Sequence, residues 1–422
     1  MLVVGFFIFI ILLVIGAPIW LALAMSGGFW VYVQMGLPLV SIPSQFFIAT
    51  DAWILLAVPY FLLAGNLMTY MGPANKMFTF IKNLVGHLPG GMTAAVVVTA
   101  AIFGALSGSS VATVVAVGSM AIPQMIKMGY SKENSYGVIA ASGTLGQMIP
   151  PSIFMILFAA TTQLDPGQLF LAGIAPGVFM AIVLIIVAIV VSFRDKTERP
   201  EKSSFAEIFT SFLHAIPSLL MPVIILGGIY GGIFTPTEAA AIAVCYVLII
   251  SFLFNRKDCT VPNFKKSLIN TMITTAVIYI LLGGAKLFST AMTYLQVPQI
   301  LTQFVTNIQV ADWIIMLLII LLFLFFGMFL DAIPILYITL PILYPVVLSL
   351  GYDPIHFAMI TVASLMIGQI TPPVGSSLYA ISGHFKENMG VVVRGSYPYL
   401  VGLIVATLVI LYIPWLSIFL FQ

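Results

Sequence analysis

Charge is what this chain has least of. Asp, Glu, Lys and Arg make up 7% of its 422 residues, against roughly 25% in a soluble domain. No polar stretch is long enough to build a soluble domain, and a net charge of +2 leaves no basic face for nucleic acid. Two cysteines, Cys245 in an apolar segment and Cys259 in a basic loop, make neither a disulfide framework nor a metal-ligand spacing. His87, His214, His356 and His384 show no ligand spacing either. The serines at 107, 109 and 110 lack a GxSxG elbow and a suitably placed histidine, so nothing here reads as an enzyme.

What fills the chain instead is apolar surface: 61% of the residues are hydrophobic. Several runs exceed the ~20 residues needed to cross a bilayer, so the class is an all-α multi-spanning protein whose solvent is lipid. Spans are expected at 2–34, 44–70, 132–162, 167–193, 211–232, 238–254, 265–296, 355–383 and 395–420. Two further apolar stretches, 91–127 and 311–349, return to the side they left. Segments 73–89 and 298–308 suit helices lying in the interface. Ala22-Leu23-Ala24 resembles a signal-peptide cleavage site, but no basic region precedes the apolar run, so 2–34 reads as the first span.

One phrase occurs twice. Gly146-Gln147-Met148-Ile149-Pro150-Pro151 returns, 222 positions later, as Gly368-Gln369-Ile370-Thr371-Pro372-Pro373. The same shift carries Pro123 onto Pro345, Gly129-Tyr130 onto Gly351-Tyr352, Ala141-Ser142 onto Ala363-Ser364 and Gly173 onto Gly395. A match held in register over that distance is an internal duplication. Paired Gly/Pro-interrupted apolar segments at corresponding positions point to the binding site of a secondary transporter.

Basic residues in short loops set orientation. With the N-terminus in the cytoplasm and the C-terminus outside, every Lys and Arg except Lys286 falls inside, from Lys76 and Lys82 through Arg194, Lys196, Arg199 and Lys202 to Lys386 and Arg394. On this threading 1–193 is the first repeat, 194–235 a linker whose span at 211–232 has no counterpart, and 236–422 an inverted second repeat.

Proline lacks an amide donor and clashes with the carbonyl four residues back. Pro150 and Pro151 therefore release the carbonyls of Gly146 and Gln147, and Pro372 and Pro373 those of Gly368 and Gln369. In hydrocarbon such groups need protein, water or a ligand. The choices are a neighbour-satisfied kink or an ion site at the facing ends of two half-helices. The returning stretches offer Gly104-Ala105-Leu106-Ser107-Gly108-Ser109-Ser110 and Gly327-Met328-Phe329-Leu330-Asp331-Ala332, with Ser109 falling on Asp331. Hydroxyls and one carboxylate suit a hard, oxygen-seeking cation such as Na⁺. Each stretch is either a re-entrant hairpin or two short spans; in the second case Asp331 caps a surface turn. Lys286 either meets a substrate carboxylate or snorkels. Thr235-Pro236-Thr237-Glu238 has the pattern of a helix cap, which makes Glu238 structural.

Together GALSGSS, the paired GQxxPP segments and GMFLDAIP resemble the large membrane (M) subunit of the tripartite ATP-independent periplasmic (TRAP) transporters, and most of all its sialic-acid branch, over essentially the whole chain. The resemblance implies an elevator-type secondary transporter of the bacterial inner membrane. Its transport domain would be 91–162 plus 311–383, with the remainder as scaffold. It would take up an organic acid with Na⁺, beside a small four-helix Q subunit and a periplasmic substrate-binding protein. Sialic acid is favoured, C4-dicarboxylate is possible, and the alternative is a stand-alone Na⁺/dicarboxylate symporter without a binding protein. Carried over, one Na⁺ site would use Gly104, Ser107, Thr144 and carbonyls of Gly146, Gln147 and the stretch to Pro150. The other would use Gly327, Gly368, Thr371 and Asp331. Candidate substrate contacts are Ser109, Ser110, Asp331, Gln369, Ser376, Ser377 and Lys286.

Overall fold

The computed structural model describes residues 2–195, 197, 201–308 and 310–421. Lys196 and Arg199, used above for orientation, and the C-terminal Gln422 lie outside the described residues. Among the described residues every regular element is helical.

The first helices overturn one expectation. α1 (Leu2–Val14) ends at Gly16, whose φ of +81° suits glycine, and Pro18 precedes α2 (Ile19–Phe29), which runs on as a π turn to Gln34. A continuous helix would hold residues 6 and 30 about 36 Å apart. Instead the Phe6 and Trp30 rings meet at 5.1 Å, and Gly5 has no room for a Cβ beside the Trp30 indole. Segment 2–34 is therefore an antiparallel helical hairpin and not a single span. Its two ends share one membrane face.

The chain continues through α3 (Ser41–Thr50), a break at Asp51–Ala52 inside the expected 44–70 span, and α4 (Ala57–Tyr70). α5 (Pro73–Val85) occupies the segment expected to lie in the interface. α6 (Gly91–Ser107) and α7 (Ser110–Lys127) form the first returning hairpin, α8 (Lys132–Gly143) and α9 (Ile153–Thr162) the first broken helix, and α10 (Pro166–Ser192) closes the repeat.

The second copy runs α11 (Phe205–Tyr230), α12 (Pro236–Phe254), α13 (Val261–Tyr294), α14 (Val297–Asn307), α15 (Asp312–Gly327), α16 (Ala332–Ser349), α17 (Pro354–Gly368), α18 (Ser376–Phe385) and α19 (Met389–Tyr412). α11 and α12 are again antiparallel neighbours, the Tyr246 hydroxyl donating to the Pro217 carbonyl at 2.7 Å. They repeat the α1–α2 hairpin. The 211–232 span thus has a counterpart after all, α1, and the repeats adjoin without a linker span. Five crossings precede α11 (α1, α2, α3–α4, α8–α9, α10), an odd number, so the copies are inverted. α13 is one unbroken helix where the first copy has α3 and α4.

Side-chain caps set the starts. Ser109 accepts from the Ala112 amide, Ser131 from Asn134, and Ser152 from Met155, while Asp353 accepts from Ile355 and His356. Thr235 and Glu238 form the expected capping box, which confirms a structural Glu238.

Packing divides the helices into two bodies. α10 and α19, expected in the scaffold, pack instead on the hairpins and broken helices. Gly395 on α19 lies against Gly137 on α8, and Gly402 against Val183 and Val187 on α10. α1–α4 and α11–α13 form the other body. Where they touch, a Cβ on Gly65 of α4 would come 2.8 Å from the Ser107 Cα at the first hairpin tip. Both hairpin tips stop inside the molecule at the level of the helix breaks, so they are re-entrant and Asp331 does not cap a surface turn.

At the breaks, backbone meets backbone. A Cβ on Gly104 would lie 2.5 Å from the Gly146 Cα, and one on Gly327 would lie 2.6 Å from the Gly368 Cα. Alanine at Gly104 or Gly368 should therefore overpack by about 1–3 kcal/mol and lower the melting temperature in detergent. Alanine at Gly383, with nothing within 4 Å, should not. Equal melting of all three would remove the contact from the fold's requirements.

Candidate functional site

The hairpin tips and the breaks surround one cleft of about 540 Å³. The first tip contributes Gly108, Ser109 and Ser110, the second Asp331, and the two breaks the pseudo-symmetric Gln147 and Gln369. α4 and α13 form the opposite wall.

Glycine and a cap build the first tip. Gly108 takes φ +60° to end α6, and Ser109 then starts α7. The turn gathers oxygens: the Ser107 hydroxyl lies 3.0 Å from Thr113 Oγ1 and 3.3 Å from the Ser109 carbonyl, and Thr113 donates to that same carbonyl at 2.8 Å. Gly104 and Gly146 cross beside them. Thr144 is buried, donating to the Ala141 carbonyl at 2.7 Å. Pro150 follows in the break, where Ser152 restarts the helix as α9.

At the second tip Asp331 occupies the position of Ser109, as the sequence register indicated. Its Oδ1 accepts from Gln369 Nε2 and Ser376 Oγ, both at 3.0 Å. The carboxylate thus ties the hairpin tip to both halves of the broken helix. The Met328 carbonyl accepts from the Val374 and Gly375 amides at 3.2 and 3.1 Å, and Thr371 donates to the Ile367 carbonyl at 2.7 Å.

One detail departs from expectation. The Gly368 carbonyl already accepts from the Thr371 amide at 3.0 Å, and the Gln369 carbonyl from Ser377 at 3.1 Å. The second pair is therefore not left bare; each oxygen keeps one lone pair for another partner. From Gly104 to Ser109 is five positions, from Gly327 to Asp331 four, so the second tip is tighter by one residue.

Gln147 Oε1, Gln369 Oε1, Ser110 Oγ and Ser377 Oγ are buried without a protein partner. Buried polar atoms are nearly always bonded, and these four cluster at the two tips and the two breaks. The donors present are hydroxyls, carbonyls and amides, the kind a hard cation or a polar organic molecule takes.

Lys286 does not join them. It lies exposed on α13, outside the cleft lining. Twenty residues separate it from Lys266, about 30 Å of helix, the thickness of a hydrocarbon core. An exposed lysine that far along the helix suits the snorkelling alternative.

The sequence reading missed the second wall. Asn66 Nδ2 donates to Thr271 Oγ1 at 3.0 Å, and Asn270 Nδ2 to the Tyr70 hydroxyl at 2.8 Å. Asn66, Asn270 and Tyr70 line the cleft, as does Thr274. Amides inside otherwise apolar spans were the available signal.

Known proteins share this plan. The family model described as "Tripartite ATP-independent periplasmic transporter, DctM component" matches residues 6–416. The C4-dicarboxylate TRAP transporter large permease protein of Pseudomonas aeruginosa is 37% identical over 397 residues, covering 94% of this chain and 93% of its own. The sialic acid TRAP transporter large permease protein of Vibrio cholerae is 34% identical over 371 residues, covering 88% of this chain and 86% of its own. The YdaH transporter of Alcanivorax borkumensis superposes with a TM-score of 0.64 at 15% identity, over 89% of this chain and 87% of its own, a likeness of fold alone. Matched along nearly all its length, the chain belongs to the DctM component of the tripartite ATP-independent periplasmic transporters.

Proposed function

We propose that the chain is the permease of a Na⁺-coupled system that takes up an organic acid. The observation that carries this reading is the pair of glycine crossings, each flanked by hydroxyl and carbonyl oxygens, with the residue after each broken-helix glycine, Gln147 and Gln369, lining one cleft. One Na⁺ is held by Ser107, Thr113 and the carbonyls of Gly104, Ser109 and the Gly146–Pro150 stretch. The other is held around Gly327, Gly368 and Thr371. Asp331, with Gln369 and Ser376 bound to it, orders the second tip beside the substrate. The hairpin body slides against the α1–α4 and α11–α13 body, an elevator motion that carries cleft and cations together. A periplasmic binding protein delivers the substrate and a small membrane subunit braces the scaffold, in keeping with a tripartite family.

The lining argues for a hydroxyl-bearing monocarboxylate, such as sialic acid, over a dicarboxylate. Among the described residues Asp331 is the one charged side chain in the cleft, and no Lys or Arg is present to balance a dianion. Amides and hydroxyls on both walls match sugar hydroxyls.

Basic residues cluster at the loops joining α7 to α8, α10 to α11, α12 to α13 and α18 to α19. These face the cytoplasm. Because α1 and α2 form a hairpin, the start of α1 then faces the periplasm, in place of the cytoplasmic N-terminus that a single 2–34 span required. In a variant lacking Cys245 and Cys259, an impermeant maleimide added to cells should label a cysteine at Val3 or Asp353 and spare one at Lys202. Labelling at Lys202 alone would invert the topology.

Transport is tested in proteoliposomes holding the permease with its small subunit, with binding protein and labelled sialic acid or succinate outside. Uptake should need an inward Na⁺ gradient and the binding protein, and K⁺ should not replace Na⁺. Asp331→Asn keeps the shape but weakens hydrogen bonds to a charge, worth ~1.5–3 kcal/mol, so uptake should fall on the order of tenfold. Undiminished uptake with K⁺ would sink the coupling.

A further inference from the structure

A second cavity, of about 620 Å³, adjoins the cleft and shares Thr69, Tyr70 and Val115 with it. It opens at the end of the molecule where α4 and α7 finish and α13 begins, the basic end. Its walls come from both bodies: Tyr70 and Lys266 from one, Ser119, Gln124 and His384 from the other.

The two cavities differ in sign. Among the described residues the cleft is lined by a single formal charge, that of Asp331, and this vestibule by a single formal charge, that of Lys266. The Lys266 ammonium sits 4.5 Å from the centre of the Tyr70 ring. It enters neither of the salt bridges formed among the described residues, which pair Lys132 with Glu387 and Arg394 with Glu133. One face of the ammonium is met by the ring, and its remaining N–H donors are open to the vestibule. The ring is itself held, because the Tyr70 hydroxyl accepts from Asn270, one turn beyond Lys266 on α13 and part of the cleft wall. Tyr70 therefore stands between the two cavities and touches a lining residue of each.

We propose that the vestibule is a carboxylate subsite, centred on Lys266, that receives the organic acid as it leaves the cleft. The inference rests on the transport reading above. While Na⁺ is bound, the negative charge of Asp331 is offset. Once Na⁺ departs, the cleft repels a carboxylate and the neighbouring ammonium attracts it, so the field across Tyr70 points the anion outward to the basic end. The Ser119 hydroxyl and the His384 ring, 3.5 Å apart on the opposite wall, supply further hydrogen-bonding groups.

The test is exchange in the same proteoliposomes, loaded inside with graded sialic acid or succinate, whichever the wild-type protein carries. Lys266→Gln should raise the internal concentration needed for half-maximal exchange about fivefold or more, with the external Na⁺ requirement unchanged. Lys266→Arg should restore it, and Lys265→Gln, an exposed neighbour outside both cavities, should behave as wild type. Normal internal affinity in Lys266→Gln, or an equal loss in Lys265→Gln, would overturn the subsite while leaving the transport reading intact. Wild-type protein that carries neither acid would overturn the transport reading, and the subsite with it.

Discussion

The whole molecule depends on two places where helix backbones touch with nothing between them. Gly104 lies on Gly146 and Gly327 on Gly368, each pair too close for a single added carbon. Close approach brings the hairpin-tip carbonyls and hydroxyls within reach of the helix breaks. It also draws Ser109 and Asp331 up to one cleft. In lipid there is no hydrophobic drive to press helices together, so small residues and interhelical hydrogen bonds must hold them. Here the bonds from Gln369 and Ser376 to Asp331 supply that hold at one tip, and the Ser107–Thr113 oxygen cluster rigidifies the other.

The copies are not equivalent. α9 starts on a Ser152 cap, whereas α18 starts at Gly375 with no side-chain cap. The first tip spreads its polar groups over hydroxyls, and the second concentrates charge in one carboxylate. Two tips of one architecture thus present different chemistry to the same cleft. Outside the cleft, at the basic end of the hairpin body, the Lys132 ammonium hydrogen-bonds Glu387 at 2.7 Å and holds its carboxyl below the usual range. Such an exposed pair is worth little energy; it ties the start of α8 to the loop before α19.

Much of this was legible in the chain because Gly and Pro write their geometry locally. GQxxPP announced both breaks, and the register that set Ser109 on Asp331 held as two equivalent helix starts. Short helices within 73–89 and close to 298–308 were legible from the sequence, and α5 and α14 stand there. The hairpin at 2–34 was not, because hydropathy does not distinguish one long tilted helix from two short antiparallel ones. Gly16 and Pro18 marked the turn, but the apolar run continues through it. Missing that turn hid the pairing of α1 with α11, whose lengths of 13 and 26 residues disguise a common place in the fold. Lys286 misled for a related reason: its depth depends on where α13 enters the bilayer, which Lys265 and Lys266 define only once the helix is known to be unbroken. The scaffold amides Asn66 and Asn270 carry no motif, and only packing reveals that they face a cavity.

Gly65 has a consequence of its own. The tip of the first hairpin rests its Ser107 backbone on that one bare position of α4, so any side chain there would push the tip off the helix. Under the sliding proposed above, a larger residue at position 65 would act as a catch that the tip must climb over before the two bodies could shift.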